Sequence, residues 1–448
     1  MSQIHREQLK VVAERAVLVA VLPTGRSDPK ADVFRELRAL AETAGAEVVG
    51  ELIQKRDKPS GATYLGKGKV RELADLVAET RATLVIFDND LAPSQIKAIE
   101  EASECKVVDR SELILDIFAN RAATHAAKLQ VEIAQLEYTY PRLRAMWNHL
   151  EKIVGGAPVG IGTRGPGEQQ LEIDRRIVQR RLRHLRGELA VIQERTTREV
   201  DRRNLEHYTV GLVGYTNAGK STLFNRVTAG GAFAHTRLFA TLSTRIERWN
   251  LGAGNEVMLS DTVGFIRDLP HHLVASFRST LQETVSAQLL LIVLDVADPD
   301  APVQLETVQR TLDEIGATGQ SRLLVLNKID LLDDSRELLV WLNRHPEAVP
   351  ISAAAGEGIA VLVETVTAHL LGGVREVKIT TEMSDGRTVA LIEKRSTVLQ
   401  RRYYDGMAEL TVRIGRRQVD ELLAQGARMR INGLDPHEAL QQEWRLPR

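Results

Sequence analysis

Residues 214–221 read Gly-Tyr-Thr-Asn-Ala-Gly-Lys-Ser. They follow a short apolar run, Thr209-Val210-Gly211-Leu212-Val213, and lead into Thr222-Leu223-Phe224-Asn225, which reads as a helix. A strand, a glycine loop and a helix in that order make a phosphate-binding loop. Gly214 and Gly219 let the backbone turn tightly, and Tyr215, Thr216, Asn217 and Ala218 span the loop between them. Lys220 offers a cation to the β- and γ-phosphates and Ser221 a hydroxyl to Mg²⁺. Thr222 continues the first helical turn, whose N-terminus adds partial positive charge. The pattern specifies a nucleotide and leaves the base open.

The base is read from residues 323–330, Leu-Leu-Val-Leu-Asn-Lys-Ile-Asp, an apolar strand ending in Asn327, Lys328 and Asp330. A carboxylate in the purine plane accepts from both N1–H and the exocyclic amine of guanine. Adenine lacks that donor pair and would leave the carboxylate unpaired. Between the motifs, residues 257–265 read Val-Met-Leu-Ser-Asp-Thr-Val-Gly-Phe. There Asp261 is placed to hold Mg²⁺ through water, and Gly264 to offer an N–H to the γ-phosphate. Ser352 and Ala353, after Val349-Pro350-Ile351, fit a loop closing over the base. Four such motifs in this order imply GTP binding and hydrolysis, with Lys220, a switch threonine and Gly264 as the catalytic set.

Charge is nearly balanced, 59 basic residues against 60 acidic, which excludes a polyelectrolyte chain. At 448 residues several domains are expected. The single Cys105 rules out an intramolecular disulfide framework. No apolar stretch approaches a bilayer span, and the acidic residues Glu7 and Glu14 argue against a targeting leader. A cytoplasmic protein without stable membrane insertion, acting as a monomer, is the expectation.

Four segments follow from the patterning. Residues 1–121 alternate apolar runs (17–22, 47–53, 83–87, 106–108) with helical patterns, which implies a small parallel α/β domain. Residues 122–204 carry two helical seams. One runs through Leu129, Ile133, Leu136, Tyr140, Leu143, Trp147 and Leu150, the other through Leu171, Val178, Leu182, Leu185, Leu189 and Ile192. The Gly- and Pro-rich stretch 155–167 separates them, so the segment reads as an antiparallel helical hairpin with a glycine-rich tip. Pro141 is expected to kink the first helix. Arg175, Arg176, Arg180, Arg181, Arg183 and Arg186 make the second helix strongly basic; with Arg164 and Gly165 at the tip they point to RNA-backbone contact. Residues 205–372 form the nucleotide domain, a doubly wound α/β fold with its motifs at the carboxyl ends of strands. Residues 373–448 read as a small α+β domain, with strands near 376–380, 408–414 and 428–431 and helices at 386–403 and through Val419, Leu422 and Leu423.

Two further stretches carry a resemblance. They are Gly162-Thr-Arg-Gly-Pro-Gly-Glu168 with Leu171-Glu-Ile-Asp-Arg-Arg176, and Asp261-Thr-Val-Gly-Phe-Ile-Arg-Asp-Leu-Pro270 continuing to Phe277-Arg-Ser-Thr280. Over roughly residues 15–372 the chain resembles the HflX family, ribosome-associated GTPases of the Obg–HflX group. That resemblance implies binding to the large ribosomal subunit, entry of the arm into the peptidyl-transferase region, and splitting of stalled ribosomes under stress. Two other classes fit the residues: an assembly factor for large-subunit precursors, or an RNA-remodelling nucleotidase with an N-terminal ATP site. No second phosphate-loop pattern supports the latter.

Thr241, in Phe239-Ala-Thr-Leu242, matches the switch I threonine that reaches Mg²⁺ and the γ-phosphate, but Ser243-Thr244 replaces the family's usual Asp-Pro. Ras-like enzymes place a water-orienting Gln after Asp-x-x-Gly; here Phe265 stands there. Unassisted hydrolysis is therefore expected near the roughly 10⁻⁴ to 10⁻³ per second of Ras without its activator. Asn217 matches the P-loop Asn that helps hold K⁺ in related cation-dependent GTPases. K⁺ and the ribosome are the two expected sources of stimulation.

Overall fold

The computed structural model describes residues 14–25, 32–153, 166–228, 244–252, 254–262, 264–267 and 282–444. Strand β1 (Arg15–Leu22) opens a four-stranded parallel sheet with β2 (Glu47–Lys55), β3 (Leu84–Phe87) and β4 (Lys106–Asp109), in the order β2-β1-β3-β4. Side-chain alternation divides β1 between two cores. Ala16, Leu18 and Ala20 face α1 (Arg35–Ala44) and α4 (Arg110–Arg121). Val17, Val19 and Val21 face α2 (Lys67–Thr80) and α3 (Pro93–Ser103). Asp109 caps α4 by accepting from the Glu112 N–H at 3.0 Å.

Helices α5 (His125–Ile153) and α6 (Pro166–Glu206) form the arm. Leu129 and Ile133 of α5 pack on Leu182, Leu185 and Leu189 of α6. The rest of the first seam beyond Tyr140, and Leu171 of the second, lie outside the described side chains. Helix α5 continues through Pro141, and α6 starts at Pro166, a residue suited to a first helical turn. The arm is tied to both α/β units. The Tyr138 hydroxyl donates to Asp109 at 2.5 Å, and the Asn204 amide donates to the Ser286 carbonyl at 2.8 Å.

The next sheet has six strands: β5 (Thr209–Gly214), β6 (Arg245–Gly252), β7 (Asn255–Asp261), β8 (Leu289–Asp295), β9 (Ser321–Asn327) and β10 (Val349–Pro350). Their order is β10-β9-β8-β5-β7-β6; only β6 runs antiparallel to its neighbour. Helices α7 (Lys220–Val227), α8 (Gln282–Ser286), α9 (Ala301–Glu314), α10 (Ser335–Arg344) and α11 (Ile359–Leu370) accompany it. The fully buried run Leu289–Asp295 marks β8 as a central parallel strand. The apolar cluster on the α1/α4 face of the first sheet continues into this unit through Tyr215, Phe265 and Ile266.

The C-terminal elements are β11 (Val374–Glu382), α12 (Gly386–Arg395), β12 (Thr397–Tyr404), β13 (Met407–Gly415), α13 (Arg416–Ala424), β14 (Arg430–Ile431) and α14 (Pro436–Glu443). Their order, β12-β13-β11-β14, gives a βαββαβ ferredoxin-like sheet. One expectation is corrected here. The helix read over 386–403 stops at Arg395, and residues 397–404 form an edge strand. The overlooked signal is Asp405-Gly406, both at positive φ (47° and 75°), a two-residue hairpin turn joining β12 to β13.

Candidate functional site

The strand ends of the six-stranded sheet bring the sequence motifs together. Gly214 closes β5, Asp261 closes β7 and Asn327 closes β9; Lys220 begins α7. Gly219 sits at φ +94°, and a Cβ there would lie 2.2 Å from the Asn327 amide nitrogen. Only glycine satisfies both the turn and that approach. Asn217 is exposed at φ +63°, a conformation asparagine tolerates.

Asn327 is buried and ties two loops. Its amide donates to the Ala218 carbonyl at 2.8 Å, and its side-chain oxygen accepts from the Ala353 N–H at 3.0 Å. The P-loop is thus fastened to the loop holding Ser352 and Ala353, both buried. Lys328, at φ +66°, donates to Asp295 at 2.6 Å. Asp330 is exposed in the short turn Ile329–Leu331 beside it. Thr216 is buried, and Thr222 is half-buried on the first turn of α7.

The Lys220 ammonium donates to its own loop carbonyls, Gly214 at 3.1 Å and Tyr215 at 2.7 Å. Burial pulls its pKa down to about 8, against an opposing pull from Asp261. Phosphate oxygens would reverse that shift by supplying negative charge. The Ser221 hydroxyl donates to Asp261 Oδ2 at 2.8 Å, so the two oxygen groups suited to Mg²⁺ are already adjacent. No cluster of three His, Cys, Asp or Glu side chains suited to a metal occurs among the described residues.

Thr241, Arg164 and Gly165 lie outside the described residues, as does the side chain of Arg175. On α6, Arg176 and Arg180 are exposed. Arg181 is also exposed, but it pairs with Glu132 of α5 at 2.7 Å, so it braces the hairpin as well as charging its surface.

Phe265 is buried in the cluster joining the two α/β units, and it has no means of aligning water. Two residues on, Arg267 meets three groups the motifs did not reveal: Glu36, Asp88 and Arg110 of the N-terminal unit. Arg110 is buried and contacts Glu36, Asp88 and the carbonyl of Arg267. Burial opposes its charge, but Glu36 and Asp88 outweigh that and raise its pKa above the usual guanidinium range. Asp88 stands at the end of an apolar strand and Arg110 starts a helix, positions that often carry function. Their partner across the domain boundary is invisible in sequence.

Comparison with known proteins now bears on this geometry. Residues 31–119 match the family described as GTP-binding GTPase N-terminal, 121–203 the GTP-binding GTPase Middle Region, and 209–328 the 50S ribosome-binding GTPase family. GTPase HflX of Escherichia coli strain K12 is 43% identical over 376 residues, 84% of this chain and 87% of that protein. HflX of Lacrimispora saccharolytica is 39% identical, covering 89% and 93%. HflX of Caldanaerobacter subterraneus subsp. tengcongensis is 40% identical, covering 88% and 89%. The chain belongs to the HflX family of GTPases. It is a GTP-hydrolysing enzyme, and the P-loop GTPase fold that this HflX chain carries generally uses Mg²⁺ with the nucleotide. No helix among the described residues is long and apolar enough to cross a membrane.

Proposed function

We propose that this HflX-family enzyme works in the cytoplasm, binds the large ribosomal subunit and splits stalled or idle ribosomes under stress, with GTP hydrolysis resetting the cycle. The observation that carries the reading is the arm. It is a long pair of helices tied to both α/β units, with arginines along α6. A helix of 41 residues spans about 60 Å, far more than a self-contained core needs. The match of residues 209–328 to 50S ribosome-binding GTPases supports the same partner. Arg164 and Gly165 at the tip, with Arg175, Arg176, Arg180 and Arg181 behind them, are the proposed RNA contacts.

In this reading Gly214 to Thr222 cradle the phosphates, and Asn327, Lys328, Asp330, Ser352 and Ala353 hold the guanine. Ser221, Thr241 and, through water, Asp261 would hold Mg²⁺, which would supply positive charge against that developing on the phosphates. Thr241 and Gly264 order the two switches around GTP, which favours the subunit-bound state; hydrolysis releases them. Because Phe265 cannot align water, stimulation comes from the ribosome, aided by K⁺ at Asn217. Replacing K⁺ by Na⁺ with no change in rate, with or without ribosomes, eliminates the cation.

The decisive experiment mixes the protein with intact ribosomes and GTP, a non-hydrolysable analogue or GDP, then resolves the particles on a density gradient. Subunit separation with both triphosphate forms, the protein travelling on the large subunit, is the expected result. Indifference to mature ribosomes, with binding only to large-subunit precursors, makes it an assembly factor instead.

A further inference from the structure

Residues 264–267, which follow the Asp261 strand, are held from two sides. On the P-loop side the Phe265 N–H donates to the Gly214 carbonyl at 3.0 Å, and the Thr216 N–H donates to the Phe265 carbonyl at 2.8 Å. Tyr215 then reaches past this pair. Its phenol oxygen accepts from the Arg267 N–H at 2.8 Å while its hydroxyl donates to Glu36 at 2.6 Å. The Arg267 carbonyl accepts from Arg110 at 3.1 Å, and the same guanidinium meets Glu36 and, at 2.7 Å, Asp88. The Arg267 side chain closes the group, 3.5 Å from Asp88 and 3.9 Å from Glu36. Both backbone polar groups of Arg267 therefore answer to residues of, or tied to, the N-terminal unit.

Gly264 lies at the start of this strapped segment. A Cβ there would sit 2.9 Å from the Lys220 ammonium and 2.9 Å from Thr216 Cγ2. Its backbone lies against the lysine placed to meet the phosphates.

We propose that Tyr215 and Arg110 are positioning residues: docking of the N-terminal unit fixes Arg267 through Glu36, Tyr215 and Arg110, and so holds the Gly264 N–H in place for the γ-phosphate. Neither residue touches a reacting atom. A loop fixed in advance needs no ordering once GTP arrives, which lowers the barrier to hydrolysis rather than strengthening binding. The effect matters more in this chain than in an enzyme with a catalytic Gln, because with Phe265 the loop contributes geometry alone. Two carboxylates face two guanidinium groups, so the network is charge-balanced, and its burial makes its members act together. The N-terminal unit thereby gains a route to the catalytic rate that runs through Glu36, Tyr215 and Arg110.

The proposal rests on GTP hydrolysis alone and is tested without ribosomes, on the full chain, by steady-state kinetics of Tyr215→Phe, Glu36→Gln and the double variant. The expected result is a kcat about tenfold lower in each single variant, with KM and GDP affinity within about twofold of the parent. The double variant should match the singles, because both cut one chain of contacts. Arg35→Gln removes the exposed pair with Asp298, 2.9 Å long, at the rim of the same interface, and should leave kcat unchanged. A parental or faster kcat in Tyr215→Phe overturns the proposal, as do losses that add in the double variant. A matching loss in Arg35→Gln also overturns it, since docking alone would then be responsible. Tyr215→Phe keeps the ring packing and carries the test by itself if Glu36→Gln melts early.

Discussion

At the nucleotide site Lys220, Asp261 and Asn327 are buried: Lys220 donates to its own loop's carbonyls, Asp261 accepts from Ser221 of α7, and Asn327 donates to the Ala218 carbonyl of the P-loop. Along the arm Arg176, Arg180 and Arg183 are exposed, and Arg181 and Arg186 reach across the hairpin, to Glu132 and Glu137. Under the proposed function the contrast follows from what each region must do. Phosphate chemistry needs donors fixed in a low-dielectric pocket, where one misplaced group costs a large factor. Contact with a polyanion needs charges kept in water until the partner displaces counterions, and there the number of charges matters more than the placement of any one. Single substitutions should therefore be severe in the first region and graded in the second.

The severest should be Asp330→Asn. The guanine N1–H and N2–H donors lose their paired acceptor, and an amide donor faces them instead. Affinity for GTP is expected to fall about a thousandfold, with xanthosine triphosphate, which presents an acceptor at C2, becoming the better ligand. Equilibrium binding of both nucleotides checks this. An unchanged preference for GTP would remove Asp330 from the base site. The strongest arm substitution acts through packing instead. Leu185 is fully buried between α5 and α6, so Leu185→Ala should destabilise the hairpin by about 3 kcal/mol, the middle of the range for such truncations. Hydrogen exchange over 129–136 and 178–192 reports the loss. GTP affinity should stay at its parental value, and a fall in it would mean that the two regions are not separable.

The same contrast explains what could be read from the sequence. The nucleotide motifs are legible because each is a strand end followed by a few residues of fixed chemistry, so local order already encodes three-dimensional proximity. The hairpin is legible from its seam, and Leu129, Ile133, Leu182, Leu185 and Leu189 pack as their spacing requires. Contacts between units were not legible: Glu36 and Tyr215 are 179 residues apart, and nothing local to either announces the other. Nor did charge density reveal that Arg181 has an intramolecular partner 49 residues away. In the C-terminal unit the helical reading of 386–403 missed the Asp405-Gly406 turn, which forces the preceding residues to pair as a strand.

Smaller effects sharpen the arm's side of the comparison. Arg180→Ala and Arg183→Ala remove exposed charges without disturbing the seam. Each should weaken binding to the large subunit about three- to tenfold and lower the slope of log affinity against log salt by about 1. Filter binding over a salt series checks both numbers. A slope left intact would mean that these arginines are solvated charge and nothing more.

The smallest effect belongs to Arg181, and it is the most diagnostic because the residue stands between the two regimes. Its ion pair with Glu132 is half-exposed on both sides, so the pair contributes at most about 1 kcal/mol to the hairpin. If Glu132 keeps that charge occupied, Arg181→Ala should reduce large-subunit affinity by less than Arg180→Ala does. Glu132→Gln should then raise affinity, since it frees Arg181 and removes a repelling carboxylate. Should Arg181→Ala prove the costlier arginine substitution, the pair must open on binding. The arm would then resemble the nucleotide site after all, with one charge held in reserve by a specific partner until the phosphate arrives.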